Sequence, residues 1–377
     1  MEVMIRSLRF KRKLKILVNL AFSFLFIILI LISSLFAPDS AQKSDYYSKI
    51  TPQDIKSSEI VFDLGINITN IGDLDLSSKT FNAEGPVWLK WNELPDWVAD
   101  EWDLEISEMP IKSLYFTNIA NREGFQSEID PSKPYLDTDG KFIQWLSFSG
   151  TFYAKDINLR RFPFEQIDLP IELESDDFNI SDAVFIHNQE GSIVGSRRDI
   201  HGFKYKGVEV NTFKHFYNTN WGLKENDLYS AIPNTSEYPS LVTKVTYRRN
   251  VAASILNIFL PIILIMILVI LNPFIEIADS QIQLPASLLL VLTFARSGYR
   301  EMLPDSLSYA TYADMFFLMC LGVTLIIFLY AIFVANKYNR SSNKAVTMLK
   351  EVNIYVSKLS LAFVVVLPFI IWSILPN

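Results

Sequence analysis

Residues Ile277 to Pro304 read IADSQIQLPASLLLVLTFARSGYREMLP, long enough to cross a bilayer and apolar through the middle, yet polar at a regular interval. Steps of three or four from Asp279 reach Gln283, Ser287, Leu290, Phe294, Ser297 and Glu301, so acid, amide, hydroxyl, two hydrophobes, hydroxyl and acid share one helical face. Polar groups in hydrocarbon are costly unless they face a bundle interior or an aqueous cavity. The stripe therefore either lines a pore assembled from several copies of this helix or pairs with neighbouring helices of the same chain.

Four further uncharged runs lie on either side: Leu17 to Ala37, Val251 to Leu271, Met315 to Asn336 and Leu359 to Pro376. Each is near the ~20 residues a helix needs to span the membrane. The chain of 377 residues, 50% hydrophobic and 20% charged, thus suits one membrane domain plus one soluble domain. The first run follows Arg6, Arg9, Lys11, Arg12, Lys13 and Lys15, which hold the N-terminus inside whether residues 1–40 are a signal peptide or a retained anchor. The run exceeds the ~7–15-residue core of a signal peptide, and the cleavage points after Ala37 and Ala41 are poor.

Residues 45–250 contain no span and carry 33 Asp/Glu against 20 Lys/Arg, whereas the whole chain has a net charge of −7. Basic residues collect at the start and in the link Lys337, Arg340, Lys344, Lys350. The positive-inside rule then places 45–250 outside, followed by four crossings (251–271, 280–300, 311–335 and 354–375, within a channel domain 251–377) and an outside C-terminus. Cys320 is the only cysteine, so the exported domain has no disulfide and relies on its core.

That domain alternates: Phe81, Ala83, Gly85, Val87, Leu89; then Phe142, Trp145, Phe148, Phe152; then Val242, Val245, Tyr247. With Asp139-Gly140 and Glu190-Gly191 as hairpin turns, the pattern predicts an all-β, immunoglobulin-like sandwich of two antiparallel sheets. Glu93 to Asp103 is expected as a short helix or loop. His187, His201 and His215 lack metal-ligand spacing, and no phosphate loop or nucleophile elbow is present. No catalytic constellation, cofactor or nucleic-acid partner is expected, which disfavours an exported hydrolase. The acidic run Glu172, Glu174, Asp176, Asp177, near Asp168, offers oxygen ligands for calcium, a cation-concentrating surface, or crowded carboxylates that titrate on acidification.

Three segments resemble one family. Leu159-Arg160-Arg161-Phe162-Pro163-Phe164-Glu165 resembles the FPF-type loop of pentameric ligand-gated ion channels, in the form without flanking cysteines. Arg249 with Asn257-Ile258-Phe259-Leu260-Pro261 resembles the entry to the first channel helix. Leu290, followed by Met302-Leu303-Pro304, Tyr309 and Tyr312, resembles the pore leucine and the loop to the third helix. The resemblance implies a homopentamer with its pore lined by the second channel helix. It implies opening by a small-molecule agonist, a proton or a divalent cation bound in the exported domain, and an ion pair between Glu165 and Arg249. It also implies coupling through Phe162, Pro163 and Phe164 against the loop containing Pro304. The short link, about Asn336 to Asn353, is as in bacterial members, which implies an inner membrane with the sandwich in the periplasm.

In a pentamer Asp279 and Glu301 become carboxylate rings at the two mouths, which attract monovalent cations, while Arg296 and Arg300 lie off the stripe close to its outer end. Leu290 and Phe294 form apolar rings that close by dewetting, with Gln283 and Ser287 lining a polar filter. Pro285 either kinks the helix or marks a late start. In this family the ligand lies beneath the hairpin corresponding to His215 to Pro239, which contains Phe216, Tyr217, Trp221, Tyr229 and Tyr238; Trp91 and Phe178 or Phe185 complete a cluster able to hold an amine by cation–π contacts, each ~0.5–2 kcal/mol. Core packing is the other reading of these rings. A membrane-anchored, non-conducting sensor is the alternative for the whole chain.

Overall fold

The computed structural model describes residues 2–35, 47–101, 108–154, 157–189, 191, 193–219, 236–275, 278–304, 307, 309–338 and 343–374. The chain divides into two compact units: Asp39–Ile157 with Gln166–Arg248, and Met1–Pro38 with Asn158–Glu165 and Arg249–Asn377. The segment carrying the FPF motif thus belongs with the helices although it lies between two strands.

The first unit is a β-sandwich. One sheet has the order β1 (Tyr47–Lys49), β11 (Phe203–Tyr217), β12 (Ser236–Arg249), β8 (Gln166–Ser175), β5 (Leu114–Phe116). The other runs β10 (Val194–Arg197), β3 (Ile68–Asp75), β4 (Thr80–Trp91), β2 (Ile60–Ile66), β9 (Ala183–His187), with β7 (Phe142–Tyr153) also on β4 and β6 (Gln126–Leu136) on β7. Alternation delivers the core: Phe81, Val87 and Leu89 from β4, Phe148 and Phe152 from β7, and Val245 and Tyr247 from β12 are all buried. Phe116, Phe125, Phe148 and Phe152 meet at ring-centroid distances between 4.8 and 6.3 Å, which adds aromatic-pair energy of ~0.5–1.5 kcal/mol per contact to area burial. Two short helices, α2 (Pro52–Ser57) and α3 (Asp96–Glu101), lie on connections.

The two sequence turns behave differently. Asp139-Gly140 closes the β6–β7 hairpin, with Gly140 at φ +81° where a side chain is strained. Gly191 also has positive φ, but β9 and β10 flank opposite ends of their sheet and pair in parallel with β2 and β3. The expected hairpin there is corrected to a crossover, because both strands find partners far away in sequence.

The second unit is helical: α1 (Glu2–Leu35), α4 (Val251–Ser254), a π turn (Ile255–Phe259), α5 (Leu260–Leu271), α6 (Ala278–Arg300), α7 (Tyr312–Tyr338) and α8 (Asn343–Ile374). Pro261 lacks an N–H and crowds the carbonyl four residues back, and the wider π turn just before it absorbs the mismatch. Four described stretches are long and apolar enough to span a membrane: Arg12–Leu31, Val251–Phe274, Tyr312–Asn336 and Leu349–Ser373. The chain is an integral membrane protein on that ground. The α6 helix is not among the four, since Asp279, Arg296, Arg300 and the polar stripe lower its apolarity; such a helix is stable in a membrane only when its polar face is shielded. The link between α7 and α8 is also shorter than expected, since both helices continue beyond their apolar runs.

Candidate functional site

Helix α6 has two faces. Gln281, Leu288, Leu292 and Tyr299 are buried within the protomer. Asp279, Gln283, Ser287, Leu290, Phe294 and Ser297, with Glu301 just beyond the last turn, are exposed, Leu290 at 59% and Phe294 at 67%. All seven stripe residues therefore look outward from the single chain. Ser287 and Ser297 return their hydroxyls to the carbonyls of Gln283 and Thr293, at 3.0 and 3.3 Å.

Pro285 lies inside α6, which is one helix from residue 278 to 300 and keeps Asp279 and Gln283 on the exposed face. A proline at 285 leaves the Gln281 carbonyl without its helical donor. Asn272 supplies one from its side-chain amide at 3.1 Å, and the Gln281 amide donates to the Pro273 carbonyl at 3.2 Å. This exchange of amides across the preceding turn removes the need for a break.

The two arginines near the C-terminal end of α6 turn away from the stripe. Arg296 Nη2 is 3.3 Å from Asp314 Oδ1 and Arg300 Nη1 is 3.4 Å from Asp314 Oδ2. Asp314 is 3% exposed; it also accepts from the Tyr299 hydroxyl and from the Thr311 N–H and hydroxyl. Sequence reading missed Asp314, although an acid beginning a long apolar helix after Thr311 is a capping signal.

The Asn158–Glu165 segment sits among helix termini. The Tyr312 and Ala313 N–H groups donate to the carbonyls of Arg160 and Phe162 at 2.7 and 3.2 Å, so backbone bonds join the loop to the start of α7. The Leu159 N–H donates to the Tyr309 hydroxyl, and the Arg160 guanidinium lies over the Tyr309 ring. Phe162 is buried beside Tyr299, while Phe164 stacks on Phe259 and meets Tyr312 and Trp372 edge-on. Pro163 follows a cis peptide bond. Pro304 and Leu303 are buried nearby in sequence to Tyr309. Glu165 and Arg249 are 2.5 Å apart, and the Arg249 N–H also donates to the Glu165 carbonyl. Glu165 is 2% exposed. Burial pushes its carboxyl above the usual range, opposed by the Arg249 charge.

In the sandwich, Glu174 on β8 gathers groups from two other strands, β5 and β11. It accepts from the Tyr115 and Tyr217 hydroxyls at 2.9 and 2.8 Å, and its other oxygen is 2.6 Å from His215 Nδ1. β12 lies between β8 and β11, and its residue opposite Glu174 is Ser240. With strands ~4.8 Å apart, two long side chains meet over that small one. Alternation puts Glu172 on the same face, where it accepts from Thr117 and Tyr47. Tyr47 stacks on His215 at 4.3 Å. Burial above all raises the Tyr115 and Tyr217 hydroxyls; their mutual hydrogen bond raises the first and lowers the second, and the Glu174 charge raises both and keeps them donors. A cavity of 210 Å³ opens here, lined by Tyr115, Glu174, Ser175, Asp176, Tyr217 and Tyr238. A larger one of 550 Å³ lies by Ile111, Leu114, Phe116 and Phe125, but its walls are mainly apolar.

Of the other ring residues selected from the sequence, Phe178 and Phe185 pack on Phe62 in the core, and Trp91 stacks on Phe142 while buried. Trp221 and Tyr229 lie outside the described residues. Among the described residues no group of three or more His, Cys, Asp or Glu is arranged to hold a metal; Glu172 and Glu174 are engaged by hydroxyls, while Asp176 and Asp177 follow the strand. Tyr115 and His215 were missed as site residues, and His215-x-Tyr217 beside Glu172-x-Glu174 was the available signal, since i and i+2 share a strand face.

No family model matches the chain. It is similar to the gamma-aminobutyric acid receptor subunit beta of Caenorhabditis elegans, 25% identical over 245 residues, which cover 62% of this chain and 40% of the receptor subunit. The chain thus matches well under two thirds of that relative's length.

Proposed function

We propose that this chain is the subunit of a homopentameric, ligand-gated, cation-selective channel of the bacterial type. Residues 45–250 form its exported, periplasmic domain and 251–377 its channel domain in the inner membrane. The observation that carries the reading is the two-faced α6: one side packs within the protomer, and the other presents acid, amide, hydroxyl, two apolar groups, hydroxyl and acid. Five copies around an axis would give such a face the shielding it needs. Engagement of Arg296 and Arg300 by Asp314 leaves Asp279 and Glu301 to set the charge of the mouths, which favours cations. Leu290 and Phe294 supply the closing rings.

The agonist is a small cationic molecule, bound where Glu174, Asp176 and the rings of Tyr115, Tyr217 and Tyr238 surround the 210 Å³ cavity. A carboxylate amid tyrosine faces suits an ammonium group, and the ligand in the name of the similar receptor subunit carries an amino group as well as an acid group. The loop Phe162-Pro163-Phe164 and the Glu165–Arg249 pair carry the opening movement to α6 and α7.

Planar-bilayer recording of the purified protein, with a panel of amines, pH steps and divalent cations, tests this. Unitary currents reversing near the cation potential and altered by Leu290→Ser support the channel. Silence from folded, pentameric protein under every condition sinks it and leaves the non-conducting sensor.

A further inference from the structure

Helix α1 is bound into the helical unit by its side chains. Leu14, Val18, Phe22 and Leu29, spaced by four, four and seven, are buried, whereas Leu17, Leu20, Phe24, Ile27 and Leu31 remain exposed. That division is the pattern of a helix with one protein-facing and one lipid-facing side.

Three contacts fix its place. Phe22 meets Phe363 of α8 edge-on at 5.1 Å. The Tyr355 hydroxyl of α8 donates to Asn19 Oδ1 at 2.7 Å, with Lys15 Nζ 4.8 Å from the Tyr355 ring centre. Leu25 fills the space over Gly322 of α7, where an added Cβ would lie 2.4 and 2.7 Å from the two Leu25 methyl carbons. A small residue opposite a large one permits close approach of membrane helices, and an amide at membrane depth needs a partner such as Tyr355.

Direction agrees as well. Contacts advance together along α1 and α8 (Asn19 with Tyr355, Phe22 with Phe363), so these helices run parallel. In a chain that crosses five times, the first crossing must be parallel to the fifth and antiparallel to the fourth. Arg12, Lys13 and Lys15 then lie at the start of the apolar span of α1, at the same end as Lys344 and Lys350 in the first turns of α8, as the positive-inside rule requires.

We propose that α1 is retained in the mature protein as a fifth membrane helix, seated by Leu25 over Gly322 and by the Asn19–Tyr355 hydrogen bond. An apolar cavity beside it, 290 Å³ in volume, reaches from α1 to Leu289 of α6. The inference uses the helical unit alone and stands or falls separately from the channel reading.

The test uses the full chain with a C-terminal tag, purified from membranes. Intact mass is expected to include residues 12–31; a mature chain beginning after α1 overturns the proposal without any variant. Gly322→Ala is expected to lower the melting temperature by about 2–4 °C through overpacking against Leu25, and Leu25→Ala in that background to recover most of the loss. An unchanged melting temperature for Gly322→Ala, or no recovery, removes the proposed seat.

Discussion

Arg296 Nη2 lies 3.3 Å from Asp314 Oδ1, so an arginine in the C-terminal half of the striped helix is held by an acid on the next helix. Arg300 shares that acid at 3.4 Å. Asp314→Asn should free both arginines toward the mouth and lower cation preference, read as a shift of reversal potential in a salt gradient. Adding Arg296→Gln and Arg300→Gln should restore the preference. The substitution also removes the charge from the buried acid of the network, so melting temperature is measured alongside; an unshifted reversal potential in folded Asp314→Asn protein contradicts the assignment.

Leu290 is 59% exposed in the protomer, so on the proposed channel reading its gating role is separable from folding. Leu290→Ser should change subunit stability by no more than about 0.5 kcal/mol, yet increase open probability by wetting the apolar ring. Currents at zero agonist, compared with wild type at equal surface expression, provide the measurement.

Glu174→Gln keeps shape and acceptor oxygen but removes the charge facing the tyrosine-lined cavity. A loss of at least about 1.4 kcal/mol in agonist binding, tenfold in concentration, is expected for a cationic ligand. Tyr217→Phe, which leaves the ring and removes one donor to Glu174, should have a smaller effect. Equal potency in Glu174→Gln and wild type places the ligand elsewhere.

The buried Glu165 carboxyl has its affinity for protons raised in the folded state by burial. Its sign follows: over the window from the ordinary glutamic-acid value, ~4.3, up to the raised one, the folded chain holds more protons than the unfolded chain, so this group's contribution falls as pH rises. Thermal melts of wild type against Glu165→Gln should therefore diverge in slope across mildly acid pH, with wild type gaining relative stability on acidification. Parallel curves would remove Glu165 as their source. At neutral pH Glu165→Gln should itself be less stable by about 3 kcal/mol, because Arg249 is left without its counter-charge.

Asn272 compensates for a proline thirteen residues on. Asn272→Ala should cost about 1–3 kcal/mol by leaving the Gln281 carbonyl buried without a donor. Pro285→Ala restores the helical N–H to that carbonyl, so Asn272→Ala should cost much less in its presence. A double-mutant cycle on thermal stability gives the coupling directly; additive effects would separate the two residues.

The sequence by itself determined which elements form. Period two in 81–89 and 142–152 and period three to four from Asp279 to Glu301 are local properties, set by where successive side chains point on a strand or helix. Apolar runs near twenty residues fixed the membrane helices for the same reason. Tertiary structure decided the pairings. Glu174 meets His215 across an intervening strand whose residue opposite Glu174 is the small Ser240, and no spacing in the chain encodes that distance. The helical period placed Arg296 and Arg300 off the stripe, but the acid that holds them, Asp314, belongs to another helix. Pro285 announced a break that Asn272 prevents, and the Gly191 turn suggested a hairpin until each flanking strand found its partner elsewhere in the sheet. In each case the deciding free energy lies in a contact between residues far apart in sequence, and it becomes visible only when the chain is folded.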